Sequence, residues 1–310
     1  MKTSHIAKTL SPNSRNIQGS YIEPLRRVVA TVFVGLTAFL SILMAVAPQA
    51  SASNPSRIVS LSLASDEILL DMLPTCGGLT RIAGLSVFVD DPSSSSVVNA
   101  AKSIKGRVHS EPESMFALKP DLVIAASFNR PELIKMIRDR KVPLLMLDSF
   151  ASAKDISDHI QKIGDTIGCP KEANEIKSRF EADITPAPPR ANALRVLSYN
   201  RDLTVMGKDT LFDDLVTRSG GVNAASSAGL SHWPRIDTET LLRLKPDKII
   251  ILGADNAKQR IEIKSHAAWG RLDAVKKNQF IFLDPKIALS TSHYFGRAVA
   301  ALRQRLSDKP

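Results

Sequence analysis

Glu113 to Ile124 reads ESMFALKPDLVI, and Glu239 to Ile250 reads ETLLRLKPDKII. The two stretches lie 126 residues apart, and at that step the glutamate, the Leu-Lys-Pro-Asp and the apolar run stay in register. In each copy the spacing predicts a short helix opened by the glutamate and closed on its apolar face by Leu118 or Leu244. Lys-Pro-Asp stops it, because proline cannot continue a helix. The apolar residues that come next do not alternate with polar ones, which is the pattern of a strand covered on both faces. Two more pairs repeat in the same order: Arg57-Ile-Val-Ser-Leu with Arg195-Val-Leu-Ser-Tyr, and Val142 to Asp148 with Gln279 to Asp284. The repetition predicts two α/β lobes, each built on a parallel sheet.

Between the lobes Ile156, Ile160, Ile163 and Ile167 fall on one helical face. Gly168-Cys169-Pro170 interrupts that helix, and Pro170 suits the first position of a second one, Lys171 to Ile184. Fourteen helical residues span about 21 Å, enough to cross from lobe to lobe. The proline-rich stretch from Thr185 to Asn192 reads as an extended linker. The expected organisation is a leader over 1–52, an N-terminal lobe over 53–152, a helical connection and linker over 153–193, and a C-terminal lobe over 194–310. The fold class is thus α/β, with two Rossmann-like lobes joined by a single rigid interlobe helix. Such a crossing predicts a cleft that closes only slightly.

The leader is read from Arg26-Arg27, the apolar stretch Val28 to Ala47, and the small residues Ala50-Ser51-Ala52. These are the parts of an export signal, cleaved here after Ala52. An uncleaved anchor is the alternative, since the stretch is about long enough for a bilayer core of roughly 30 Å. Either way the remainder faces the outside, because the arginines stay cytoplasmic. Removing 1–52 takes away five basic residues and Glu23, so the formal charge falls from +10 to +6. No run of basic residues with interleaved aromatics exists to build a nucleic-acid groove. Cys76 and Cys169 each follow a first-lobe helix and meet an oxidising compartment. A disulfide between them and a pair of partly buried free thiols are both open readings.

These residues resemble the periplasmic substrate-binding proteins of ABC importers whose lobes are joined by one helix, the cobalamin and iron-siderophore family, and within it the cobalamin-binding member. The resemblance rests on Arg57 to Leu61, Ser65 to Leu70, Glu113 to Ile124, Gly207-Lys-Asp-Thr-Leu, Ser219-Gly-Gly-Val-Asn223 and Trp233 to Glu239. It implies that Glu113 and Glu239, one per lobe, dock the protein onto an ABC permease dimer in the inner membrane. It implies a periplasmic monomer, no resident cofactor, and a metal-containing macrocycle or ferric chelate as ligand. The pattern departs near Arg107 and Ala126, where the cobalamin-binding member carries two cleft tryptophans.

In open parallel sheets ligands bind beyond the carboxyl ends of the strands. The residues expected there include Phe88, Arg107, His109, Phe128, Phe150, Tyr199, His232, Trp233 and Lys286. Aromatic faces suit a large planar ligand, and Arg107 or Lys286 could pair with ligand carboxylates. Trp269 is assigned to a core. His109, His232 and His293 offer an alternative, a haem-binding or transition-metal-binding importer component, although no short histidine spacing supports a preformed metal site. A secreted enzyme is the remote alternative. Gly207-Lys-Asp-Thr lacks the upstream glycine of a phosphate loop, and neither Gly-x-Ser-x-Gly nor His-Glu-x-x-His occurs. Asp209, Asp213 and Asp214 are read as helix-start residues.

Overall fold

The computed structural model describes residues 54–109, 111–188 and 192–307, so the expected leader lies outside the described residues. The first sheet comprises β1 (Ile58–Ser60), β2 (Ile82–Ser86), β3 (Arg107–Val108), β4 (Leu122–Ala126) and β5 (Leu144–Leu147), in the order β3-β2-β1-β4-β5. The second comprises β6 (Arg195–Ser198), β7 (Val222–Asn223), β8 (Lys248–Leu252) and β9 (Phe280–Leu283), in the order β7-β6-β8-β9. Every pairing is parallel. The longer helices are α1 (Leu63–Met72), α2 (Pro112–Ala117), α3 (Pro131–Asp139), α4 (Ala153–Ile167), α5 (Pro170–Asp183), α6 (Leu211–Arg218), α7 (Thr238–Leu244), α8 (Ala257–Ser265) and α9 (Phe295–Ser307).

The repeated phrase builds the same joint twice. Ile58 lies opposite Leu122 in the central strand pair of the first sheet, and Val196 lies opposite Lys248 in that of the second. Lys119 and Lys245 take left-handed backbone, with φ 49° and 44°, which ends α2 and α7 ahead of the proline. The aspartate then turns back on the neighbouring strand: Asp121 accepts from the Arg57 amide at 2.9 Å, and Asp247 accepts from the Arg195 amide at 2.8 Å. The same arginines donate to the unpaired helix-end carbonyls of Leu118, at 3.1 Å, and Leu244, at 3.2 Å. Arginine, lysine, proline and aspartate thus close one helix–strand corner per lobe.

Alternate strand residues enter different cores. Ile58 and Ile124 face inward with Ile156, Ile160 and Phe180 of the crossing helices and with Val196, Phe212, Ile250 and Phe295 of the second lobe, forming one continuous apolar cluster. Val59, Val123 and Ala125 pack the outer face of the first sheet, and Leu197, Ile249 and Ile251 that of the second. Burial on both faces explains the absence of alternation in the sequence.

The crossing is a helical hairpin. A capping box of Ser152 and Asp155 starts α4, and the four predicted isoleucines are fully buried. Gly164 lets α5 approach closely, since a Cβ there would lie 2.2 Å from the Ala173 Cβ. Cys169, between the helices, is joined to Cys76 by a disulfide with a Cα–Cα distance of 5.9 Å. From α5 the chain reaches the second lobe, where the Ala187 amide bonds to the Arg218 carbonyl at 2.9 Å. A non-covalent fastening is added by the segment ahead of α9. Ser292 donates to Glu67 on α1, and His293 and Tyr294 donate to Asp71 at 2.8 and 3.0 Å.

Candidate functional site

A cavity of about 540 Å³ opens where the carboxyl ends of the two sheets face each other. Ser127 and Phe128 enter it after β4, Asp148, Ser149 and Phe150 after β5, and Leu252 at the end of β8. Met206, Asp209 to Phe212, His232, Trp233, Leu289 and Thr291 complete the second-lobe wall. Phe128 also borders a cavity of about 280 Å³ on the first lobe, lined by Phe88, His109, Asn129 and Arg130. Phe88, Phe128 and Trp233 are 60, 62 and 60% exposed. Rings left this open gain about 1.5–3 kcal/mol each on full burial, so they favour an apolar partner.

The first-lobe wall is a stack of rings. Asn129 accepts from the Ala126 amide at 2.7 Å and donates to the Leu61 carbonyl at 3.1 Å, which ties down the turn that presents Phe128. Phe128 packs on Phe150 at 5.1 Å, and Phe150 packs on the buried His159 of α4 at 4.7 Å. Burial lowers the His159 pKa, so the ring behind the wall is neutral at pH 7.

The second-lobe wall is two loops held edge to edge. The Gly207 amide donates to the His232 carbonyl at 2.8 Å, and the His232 amide donates to the Lys208 carbonyl at 2.7 Å. A Cβ at Gly207 would sit 2.1 Å from the Leu230 oxygen, so only glycine permits this approach. Beyond the contact, Asp209 and His232 both take left-handed backbone, φ 63° and 60°, and Thr210 caps α6 by accepting from the Asp213 amide at 3.2 Å. The rings of His232 and Trp233 are stacked, 6.3 Å apart.

The nine residues expected beyond the strand ends do not all converge, although Phe150 joins those lining the main cavity. Phe128, His232 and Trp233 line the main cavity, and Phe88 and His109 line the smaller one. Lys286 borders a separate space of about 90 Å³ with Glu67, adjoining the cleft through Leu289 and Thr291. Arg107 lines none of these cavities. Its guanidinium donates to Asp90 at 2.6 and 2.7 Å and to the carbonyls of Ile104, Gly106 and Ala101, and its side chain is 18% exposed. Tyr199 packs against the fully buried Trp269 at 5.1 Å, and its enclosed hydroxyl has a pKa raised by burial. The three histidines stand apart, with His293 bound to Asp71. Among the described residues the one cluster of metal-ligating types is Cys76, Cys169 and Glu172, whose sulfurs are bonded to each other.

Glu113 and Glu239 are exposed in the first turns of α2 and α7. Both helices run back against their strands, so their starts lie at the carboxyl edges of the sheets, beside the cleft. Asp209 corrects the helix-start reading: Asp213 and Asp214 occupy the first turn of α6, whereas Asp209 precedes the cap and lines the cleft. Asp148 also escaped the sequence reading. Its signal was available, because it directly follows a repeated strand whose second copy ends at Asp284.

Known proteins match across both lobes. An uncharacterised ABC transporter substrate-binding lipoprotein of Bacillus subtilis strain 168 is 24% identical over 246 residues, covering 76% of this chain and 74% of the relative. The vitamin B12-binding protein of Pectobacterium carotovorum strain PC1 is 25% identical over 208 residues, covering 64% of this chain and 72% of that protein. The solved structure of a periplasmic haem-binding protein from Roseiflexus sp. RS-1 superposes with a TM-score of 0.64 at 22% identity, covering 83% of this chain and all of that one. Its likeness is one of fold. Residues 58–287, from the first strand of one lobe past the last strand of the other, match the periplasmic binding protein family. On that match and on the two-lobed fold, this chain belongs to the periplasmic binding proteins, a family of non-catalytic solute binders.

Proposed function

We propose that the chain is the extracytoplasmic substrate-binding protein of an ABC importer, and that it captures a cobalamin-like corrinoid or an iron complex in the cleft. The observation that carries this reading is the exposure of Phe128 and Trp233 in the cleft between the sheets and of Phe88 in the first-lobe cavity that Phe128 also borders. Three half-open rings on two lobes form a surface for the faces of a ring-shaped metal chelate. The B12-binding and haem-binding proteins among the similar chains support a ligand of that kind. A haem ligand held by His232 is the second reading, favoured by the exposed imidazole beside Trp233.

The fold serves capture by being formed beforehand. Association costs several kcal/mol in lost freedom, and ordering flexible walls adds to it. Here the hairpin α4–α5 and a core shared by both lobes hold the walls in place before the ligand arrives. The cleft then closes only slightly, and delivery relies on docking. Glu113 and Glu239 would each meet a basic residue of a permease dimer. Exposed ion pairs contribute about 0–1 kcal/mol, so docking is reversible and salt-sensitive and needs both contacts. Export by the leader, cleaved after Ala52, places the protein in the periplasm.

The test compares wild type with Glu113→Ala/Glu239→Ala. After incubation with a coloured corrinoid or haemin and desalting, both proteins should carry the same visible spectrum. Only wild type should restore uptake of that ligand to cells lacking the chromosomal copy. Absence of any bound chromophore refutes capture, and uptake by the double variant refutes docking.

A further inference from the structure

The charges around the ring-lined cleft are one-sided. The side chains lining the main cavity include two carboxylates, Asp148 and Asp209, and neither lysine nor arginine. Asp148 enters from the first lobe, is 72% exposed and has Lys162 3.8 Å away, on the surface of α4. Asp209 enters from the second lobe on the loop held against His232, and makes no hydrogen bond or ion pair among the described residues. The other nearby cations stand outside the lining of this cavity. Arg107 is closed around Asp90, and Lys286 borders its own small cavity beside Glu67. Arg130 faces the smaller cavity, 4.0 Å from Glu132.

A ligand carboxylate entering this cavity would lose part of its hydration and meet two like charges with no cation in the lining. An uncharged ligand meets no charge repulsion from them, and a cationic one gains. We infer that the cleft selects ring-bearing metal chelates without free carboxylates, uncharged or net cationic, and that Asp148 and Asp209 are the residues that reject dicarboxylate macrocycles. The inference rests on the reading of the cleft as a macrocycle site and narrows its ligand class. It also accounts for the unusual backbone at Asp209. Strained left-handed residues persist where the surroundings hold them, and here the strain aims a carboxylate into the binding space.

The experiment is a visible-absorption titration of the mature protein with cyanocobalamin, which is uncharged, aquocobalamin, which is cationic, and haemin, which carries two propionates. Both corrinoids should bind at least about tenfold more tightly than haemin, and raised salt should weaken aquocobalamin more than cyanocobalamin. Asp148→Asn/Asp209→Asn should tighten haemin by about tenfold and weaken aquocobalamin, so that the corrinoid-to-haemin preference falls. Asparagine tolerates left-handed backbone as well as aspartate does, so the loop is retained. The wild-type preference tests the inference without any variant. Haemin bound as tightly as the corrinoids, or a corrinoid-to-haemin ratio unchanged in the double variant, overturns the charge selection while leaving macrocycle capture standing. Failure of all three to bind overturns both.

Discussion

The first helix turn at the cleft end of each lobe places an acid at the same position and treats it in opposite ways. Counting four residues from the helix caps Ser62 and Thr210 leads to Asp66 in the first lobe and Asp214 in the second. Asp214 pairs with Arg218 at 2.9 Å and accepts from the Ala153 amide at 2.7 Å, at the start of the crossing helices. Asp66 is fully buried against the Ser86 hydroxyl, and burial lifts its carboxyl to about 7. The lobes also grip the hairpin differently. The first uses the Cys76–Cys169 disulfide and Arg81, which donates to the Ile167 carbonyl at 2.6 Å. The second uses Arg218, which donates to the Ile184 carbonyl at 3.0 Å, and Arg303, which reaches the Arg218 carbonyl at 3.2 Å. A duplicated unit therefore keeps the corner that shapes its sheet and diverges where the two copies meet.

Removing the disulfide should produce the largest effect on this asymmetry. Cys76→Ala/Cys169→Ala removes the only cross-link between the first lobe and the hairpin among the described residues, and should lower unfolding free energy by about 2–5 kcal/mol in urea titrations. A loss below about 0.5 kcal/mol would mean that packing already grips the first lobe as firmly as the covalent bond.

Asp66 offers a pH test of the second difference. With its folded value near 7, above its ordinary 3.8, it contributes stability that is fully present below about 3.8 and is lost as pH rises to about 7. Asp66→Asn should therefore become more stable relative to wild type by up to about 1.4 kcal/mol per pH unit across that window. Unfolding titrations at pH 4, 5, 6 and 7 would show it. A difference between the two proteins that stays flat with pH would remove the burial argument.

The shared corner provides the smallest contrast. Asp121 accepts from the Ser56 amide at 2.8 Å, the Ser56 hydroxyl at 2.9 Å and the Arg57 amide at 2.9 Å, whereas Asp247 accepts from the Arg195 amide at 2.8 Å. Asp121→Asn should cost about 1–3 kcal/mol, and Asp247→Asn less, measured by the same unfolding assay. Equal costs would show that the extra bonds of the first copy add nothing.

Much of this architecture was legible because its signals are local. Lys-Pro-Asp stops a helix wherever it stands, and an unbroken apolar run after it marks a buried strand. The isoleucines of α4 showed their face by spacing, and the exposed ring of Phe128 stands just beyond β4, where the topology of parallel sheets directs attention, whereas Trp233 lies ten residues past the end of β7. That positional rule is blind to partners from elsewhere in the chain. Arg107 satisfies it, yet the side chain is consumed by Asp90, seventeen positions earlier. Tyr199 lies after β6 and turns toward Trp269, whose location depends on how the chain between β8 and β9 folds back.

Sequence alone determined that the chain duplicates an α/β unit, and where the helices ahead of each Lys-Pro-Asp and ahead of Gly168 stop, since these are set by periodicity and by the backbone limits of proline and glycine. Only the tertiary structure decided that Gly207 must be glycine, that Asp148 and Asp209 line one cavity from opposite lobes, and that Glu67 and Asp71 receive Ser292, His293 and Tyr294. Each of these depends on distances between residues far apart in the chain. Such distances emerge when both lobes bury their inner faces against the same pair of crossing helices.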